Sequence, residues 1–313
     1  FPIRGGRAQG GDGGNGQEHG PKTQRFLPIG RPKSALELTG PTRIVERKHG
    51  GKPANRAIVR TIMADPQTSP LPVFYRNPVP LDRVRHAKLG FVRPKDHGFA
   101  RGVNSVPIAA IEFQSAARNF PIVFTNTDPA GAVVVLGFEA GQNLFIESND
   151  RWADDCYVPA YVRRYPFVFT RTPAGEFVLC MEEAPGLLAE GGEAIFGADG
   201  KPSKMIEEVL RFAGDFQLQI DVVQHFVRAC VAAGVLVENR ASIQMPEKRA
   251  VTLQGFRTID TKRFEALPEA TVAEWWRRGW LMLAYQHLMS LGNWQVLANR
   301  ATKIANAAKA AKG

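Results

Sequence analysis

Apolar and polar positions change rhythm three times along this chain. Residues 1–62 show neither alternation nor a helical period, so no regular element is expected there. Prolines at 66, 70, 72, 78 and 80 predict an extended lead-in over residues 63–77. LDRVRHAKLGFVRP, residues 81–94, predicts a helical turn followed by an edge strand that Pro94 closes. Between residues 118 and 190 short apolar runs separated by turn residues predict strands. After Ser203 the period lengthens: Ile206, Val209, Leu210, Ala213, Phe216, Ile220, Val223, Val227 and Cys230 recur every three or four positions. That spacing predicts an amphipathic helix capped by Ser203, with Glu207 and Glu208 in its first turn, ending near Gly234. ASIQMPEKRAVTLQGFRTID, residues 241–260, predicts a hairpin turning around Pro246 to Arg249. Thr271 is expected to cap a helix through WWRRGWLMLAYQHLMSL, and NWQVLANRATKIANAAKAAK a last, alanine-rich helix with a frayed end.

Two strand regions say nearly the same thing. RNFPIVFTNTDPAG (residues 118–131) and RRYPFVFTRTPAG (residues 163–175) align at an offset of 45. Arg118 then matches Arg163, Phe120 matches Tyr165, and Pro121, Val123, Phe124, Thr125 and Thr127 match Pro166, Val168, Phe169, Thr170 and Thr172. Dropping one residue at Asp128 brings both Pro-Ala-Gly turns into line. Each unit reads as a short helical piece (SAARNF; AYVRRY) stopped by proline, an apolar strand, a turn, and a return strand (AVVVLGFE; EFVLCMEE). An isolated hairpin is marginal in water, so the two are expected to pair, edge to edge or face to face, into one sheet of about four strands. The main role expected of the repeat is completion of a shared core.

Charge adds a division that hydropathy only hints at. The net charge is +10, but residues 1–62 carry 12 Lys+Arg against 4 Asp+Glu and 12 of the 30 glycines. The remaining residues are close to neutral, so no clustered field marks nucleic acid as a partner of the folded part. Residues 1–62 are expected to be a disordered basic extension, and Met63 is expected to be the natural start. No apolar run approaches the roughly 20 residues needed to span a bilayer, and a soluble, cytoplasmic protein is expected. Three cysteines, Cys156, Cys180 and Cys230, lack C-x-x-C spacing, which argues against a thiolate zinc site or disulfide framework; all three are expected to be buried small hydrophobes.

Catalytic and cofactor signatures are weak. The G-x-G-x-x-G at Gly11, Gly13 and Gly16 lacks the flanking strand and helix that a dinucleotide site requires. No two of His86, His97, His225 and His287 share helical i, i+4 spacing. His86 and His97 are expected to face solvent and His225 and His287 to be hydrogen-bonded inside helices. Asp154 and Asp155 beside Cys156 are expected to be solvated. No catalytic, cofactor or metal residue is therefore assigned. The candidate ligand or partner residues are Arg118 with Phe120 and Arg163 with Tyr165, where a guanidinium beside a ring suits a carboxylate or peptide. Trp276 and Arg277 join them, because neighbouring tryptophans point about 100° apart on a helix and only one can face the core.

NSVPIAAIEFQSAARNFPIVFT, GQNLFIESNDRW, YVPAYVRRYPFVF, GEAIFGADGKPS and LMSLGNWQVLANR, in that order, resemble the SapC family, named for association with transport of bacterial S-layer proteins. The likeness runs from about Asn77 to Arg300. It implies a soluble accessory protein of surface-layer or envelope protein export, with export-system proteins as partners, no cofactor and no accepted catalytic residues. An enzyme of undescribed mechanism, working beside modification enzymes through Arg118, Arg163, Asp155 or His86, is the alternative. The expected fold class is α+β: duplicated helix–β-hairpin units in a mainly antiparallel sheet at residues 78–190, then a largely helical part at residues 191–313, packed as one domain.

Overall fold

The computed structural model describes residues 58–61, 71–171, 177–244 and 250–310. Among these the strands are β1 (Ile58–Thr61), β2 (Pro78–Pro80), β3 (Gly90–Phe91), β4 (Ser105–Pro107), β5 (Ile122–Thr125), β6 (Ala132–Val135), β7 (Phe167–Arg171), β8 (Phe177–Glu182), β9 (Leu188–Ala189), β10 (Glu193–Ala194), β11 (Leu236–Gln244) and β12 (Ala250–Ile259). The α-helices are α1 (Phe113–Ala116), α2 (Ala160–Arg163), α3 (Lys204–Ala232), α4 (Thr261–Glu265), α5 (Glu269–Arg277), α6 (Trp280–Ser290) and α7 (Asn293–Ala310). The protein is α+β, with mainly antiparallel sheets and a helical C-terminal region, as expected. The Pro246–Arg249 turn and the far end of the last helix lie partly or wholly outside the described residues.

Both proline-led units form a helical turn followed by a hairpin, but they do not share a sheet. β5 and β6 sit inside a sheet of order β1-β12-β5-β6-β4, with β11 on the opposite edge of β12. β7 and β8 form a separate sheet of order β2-β8-β7. Register differs too. Val134 pairs with Ile122, whereas its sequence counterpart Val178 pairs with Thr170, three residues further along the strand than Phe167, the counterpart of Ile122. The expectation of one shared four-stranded sheet is corrected: likeness of local sequence produced likeness of local shape, while long-range pairing went to different partners.

The reason lies in what covers each hairpin. Every residue of β5 and β6 is buried, the pattern of a strand covered on both faces. α6 seals β5 where it diverges from β12. His287 of α6 sits between them, accepting from Ile259 N–H through Nε2 at 3.0 Å and donating from Nδ1 to the Ile122 carbonyl at 2.9 Å. Ser290 Oγ accepts from Ile122 N–H at 3.0 Å and donates to the His287 carbonyl at 2.6 Å. Two side chains thus replace the ladder bonds that β12 no longer supplies, and buried backbone groups need such partners. Burial lowers the His287 pKa to about 4, so the ring is neutral and its tautomer fixed by the two bonds.

α3 is 29 residues long, roughly 43 Å at 1.5 Å per residue, and it serves both hairpins. Ser203 Oγ accepts from Ile206 N–H and starts it as expected. Its first turns place Met205 and Ile206 in a small core with Phe91, Phe167, Leu179 and Met181. Its later turns place Val223, Phe226, Val227 and Cys230 in the main core, where Phe226 meets Phe124 edge to face at 5.9 Å. Glu112, buried just before α1, ties the two helical turns together. Its Oε1 accepts from Ala160 N–H at 2.6 Å and Tyr157 O–H at 2.9 Å, and its Oε2 accepts from Ala109 N–H at 2.9 Å.

Several local expectations are corrected. β3 is the middle strand of a sheet ordered β10-β3-β9, not an edge; Gly90 lets its backbone approach Gly192 more closely than any side chain would permit. Helix α5 begins after Pro268, so Thr271 lies inside it, and Gly279 at φ 72° ends it and starts α6. β11 begins at Leu236, five residues before the predicted strand. His86 is buried rather than solvent-facing, with Nε2 3.2 Å from Glu183 Oε1; His225 is hydrogen-bonded within α3 as expected, Nδ1 donating to the Asp221 carbonyl at 2.7 Å, though its side chain is exposed. Cys180 and Cys230 are buried, but Cys156 is only partly so.

Candidate functional site

The turn that ends α2 also builds a cleft. Val162, Arg163, Arg164 and Tyr165 form one wall, the first turns of α3 around Glu208 and Phe212 a second, and residues 91–99 the third. The space is about 470 Å³, within the range of sites that hold a small molecule or a short peptide end. Its lining combines rings with cations: Phe91, Phe99, Tyr165 and Phe212 beside Arg93, Lys95, Arg163 and Arg164, against the acids Asp96 and Glu208.

Sequence places each of these groups. Proline at 166 ends the helical turn, so Arg163, Arg164 and Tyr165 fall on an exposed corner instead of a continuing helix. Tyr165 stacks on Phe99 at 3.9 Å with an interplanar angle of 12°. Arg163 is held at the rim: Nε donates to the Val158 carbonyl at 3.1 Å and Nη2 to Tyr157 Oη at 3.1 Å. Tyr157 in turn donates to buried Glu112. Burial, then the Glu112 charge, pushes the Tyr157 pKa up to about 12, so it stays a neutral relay.

Arg164 lies deeper. Its guanidinium carbon is 3.9 Å from the Tyr161 ring centroid, 5.2 Å from Phe216 and 5.8 Å from Tyr75. Such packing is favourable for a guanidinium. Burial raises the pKa of Tyr75 and Tyr161, with the Arg164 charge and its side-chain hydrogen bonding to both phenols acting in the opposite sense. Each phenol donates to a backbone carbonyl, Tyr75 to Phe167 at 2.7 Å and Tyr161 to Val73 at 3.3 Å. The Arg164 Nε–H is buried without a hydrogen-bond partner. Among the described residues no carboxylate pairs with Arg164. His97 also borders the cleft, and burial lowers its pKa.

Of the candidate residues, the structure brings Arg163 and Tyr165 together at the cleft and leaves the other two sets elsewhere. Phe120 is fully enclosed, edge to face on Phe145 at 4.6 Å, so it offers no surface to a ligand, and Arg118 is exposed apart from the cleft lining. Trp275 is 2% exposed and Trp276 74%, the split that helical geometry requires. Trp276 and Arg277 border a shallow groove with Leu267, Val272 and Leu281. His86 binds Glu183, and Asp155 pairs with Arg300 at 2.9 Å. Neither lines the cleft, so Arg118, Arg163, Asp155 and His86 do not assemble into one centre. Burial raises the Cys156 thiol pKa to about 12, which leaves it un-ionised at neutral pH. Among the described residues no group of three or more His, Cys, Asp or Glu is placed to hold a metal ion, and no helix is long and apolar enough to cross a membrane.

Arg164 carries more of the cleft's chemistry than either arginine that the repeat singles out. One signal was available: the repeats differ there, with Asn119 at the matching position. The Asn119 side-chain carbonyl accepts from Tyr157 N–H at 3.0 Å, an internal bond, whereas Arg164 lines the cleft.

The quoted phrases find a counterpart beyond this chain. No curated protein and no solved structure matches it. The SapC family model matches residues 81–297, which takes in both hairpins, the cleft and most of the helical region. The chain belongs to the SapC family.

Proposed function

We propose that this protein is a non-enzymatic accessory component of surface-layer or envelope protein export, and that it acts by holding a carboxylate-bearing segment of a partner polypeptide in the Arg163–Tyr165 cleft. The observation that carries the reading is the cleft's make-up. Rings and arginines converge there, one guanidinium braced at the rim by Tyr157 and Val158, another enclosed by aromatic faces. Arginine beside an aromatic wall is a pairing that recurs at energetic centres of protein interfaces, and a braced guanidinium loses little freedom on binding. The likeness to SapC proteins is what favours an export setting, and the lining of the cleft is what favours this mode of action.

A photo-crosslinking residue at Lys95, on the exposed rim, tests the reading in cells that make the native partner. The expected result is a crosslinked surface or envelope polypeptide, lost when Arg163→Glu reverses the charge. Crosslinks unaffected by Arg163→Glu, or confined to ribosomal and metabolic proteins, would remove the proposal.

A further inference from the structure

We infer that Arg164 is the anion anchor of this cleft and that its ligand is a single carboxylate attached to an apolar body, as in a polypeptide C-terminus with a hydrophobic last residue or a free N-acylated amino acid. The inference rests on the cleft being the binding site proposed above, and goes further by naming the anchoring group and the chemistry it selects.

Buried guanidinium donors are almost always paired. Arg164 has a buried Nε–H with no partner and, among the described residues, no carboxylate neighbour. The Tyr161 ring 3.9 Å away stabilises the charge through its face. The phenol oxygens of Tyr75 and Tyr161 take part of the guanidinium's hydrogen bonding, but neither satisfies Nε–H, and the planar fork of the guanidinium matches a planar carboxylate. A carboxylate entering from the cleft would complete the site.

Neighbouring groups narrow the class further. Arg93 is 3.3 Å from Glu193, Arg163 is bonded at the rim to Tyr157 and Val158, and Lys95 stands on the exposed rim, so Arg164 is the deeper cation without an ion-pair partner among the described residues. Asp96 and Glu208 border the same space and would repel a ligand with several negative charges, such as a polyphosphate. One negative charge next to Arg164 is favoured. Phe91, Phe99 and Phe212 supply walls for an apolar body.

Calorimetric titration of the full-length chain with N-acetyl-phenylalanine and with N-acetyl-phenylalaninamide tests this without any mutation. The acid should bind at least about ten-fold more tightly than the amide, the usual effect of one charge-assisted hydrogen bond. Arg164→Met, checked for native circular dichroism, should reduce acid binding to the amide level. Equal binding of acid and amide, or acid binding unchanged in a folded Arg164→Met protein, overturns the inference. A longer peptide, acetyl-Gly-Ala-Gly-Phe with a free carboxylate, separates the two sources: tighter binding than N-acetyl-phenylalanine identifies a chain end, and equal or weaker binding a free acid. If the small acids fail while the Lys95 crosslink to an envelope polypeptide persists and is lost in Arg163→Glu, Arg164 is not the anchor, and the reading of the cleft as a polypeptide site held through Arg163 stands.

Discussion

The two proline-led hairpins carry matching residues at most positions and end in opposite situations. The first, β5–β6, is buried along its whole length, with α3 and α6 supplying its cover and even its missing backbone bonds. The second, β7–β8, is covered by the start of α3 and by β2, and its leading corner opens into solvent as the wall of a cleft. Phe120 and Tyr165 occupy equivalent places, one enclosed and one lining the opening. Similar local sequences take a similar local shape, and the surroundings decide that one hairpin is enclosed in the core while the other's leading corner lines a cleft with arginines.

The sharpest way to break that comparison is a pair of truncations. Phe120→Ala should cost about 3–5 kcal/mol of unfolding free energy, as enclosed phenylalanines do. Tyr165→Ala should cost roughly 1–2 kcal/mol, mainly the stacking on Phe99 and partial burial. Urea melts of the two variants check this, and equal losses would mean that the hairpins are structurally equivalent after all. Next in size is His287→Ala, expected to cost about 2–4 kcal/mol because Ile259 N–H and the Ile122 carbonyl lose their partners. Hydrogen exchange at Ile259 should accelerate, with little change at Val168 in the second hairpin. Exchange that rises equally in both would show that the seal is not local to the first.

A pH series sharpens the same contrast. Folding lowers the His287 pKa from the ordinary 6.5 to about 4, so between those values the unfolded chain binds more protons than the folded one. The stabilisation from the neutral ring is complete above pH 6.5 and declines as pH falls toward 4, by at most about 1.4 kcal/mol per pH unit. His287→Gln keeps one donor and one acceptor, and it should flatten this acid limb without the full loss seen for alanine. Denaturant midpoints at successive pH values read it out. The smallest effect belongs to the cleft: Arg163→Gln should change stability by under about 1 kcal/mol, because its bonds lie at an exposed rim. A larger loss would place Arg163 in the scaffold rather than at a recognition surface.

How much of this was readable from sequence follows from which forces are local. The two helical turns, the proline stops, the strands and the Ser203 cap all depend on neighbours within a few residues, and they appear in the pattern. Partition of the hairpins into different sheets does not, because it depends on where β12 and β2 offer their edges. Gly279 separates α5 from α6 through one left-handed residue, and an apolar period that continues across it conceals the break. At the cleft, the repeat drew attention to Arg163 and Tyr165, which do line it. Arg164 stands where the repeats disagree, and its cage, Tyr161 one turn earlier with Tyr75 and Phe216 from distant segments, shows its character only in the structure.

Glu112 gives the comparison its mechanical consequence. One carboxylate receives Ala109 N–H ahead of α1, Ala160 N–H at the start of α2, and the Tyr157 hydroxyl that steadies Arg163. A load applied to the rim arginine therefore reaches the sealed interior in two steps, through a phenol and an acid. The corner behaves as an outrigger bolted to the hull, its rim arginine braced through to the buried interior.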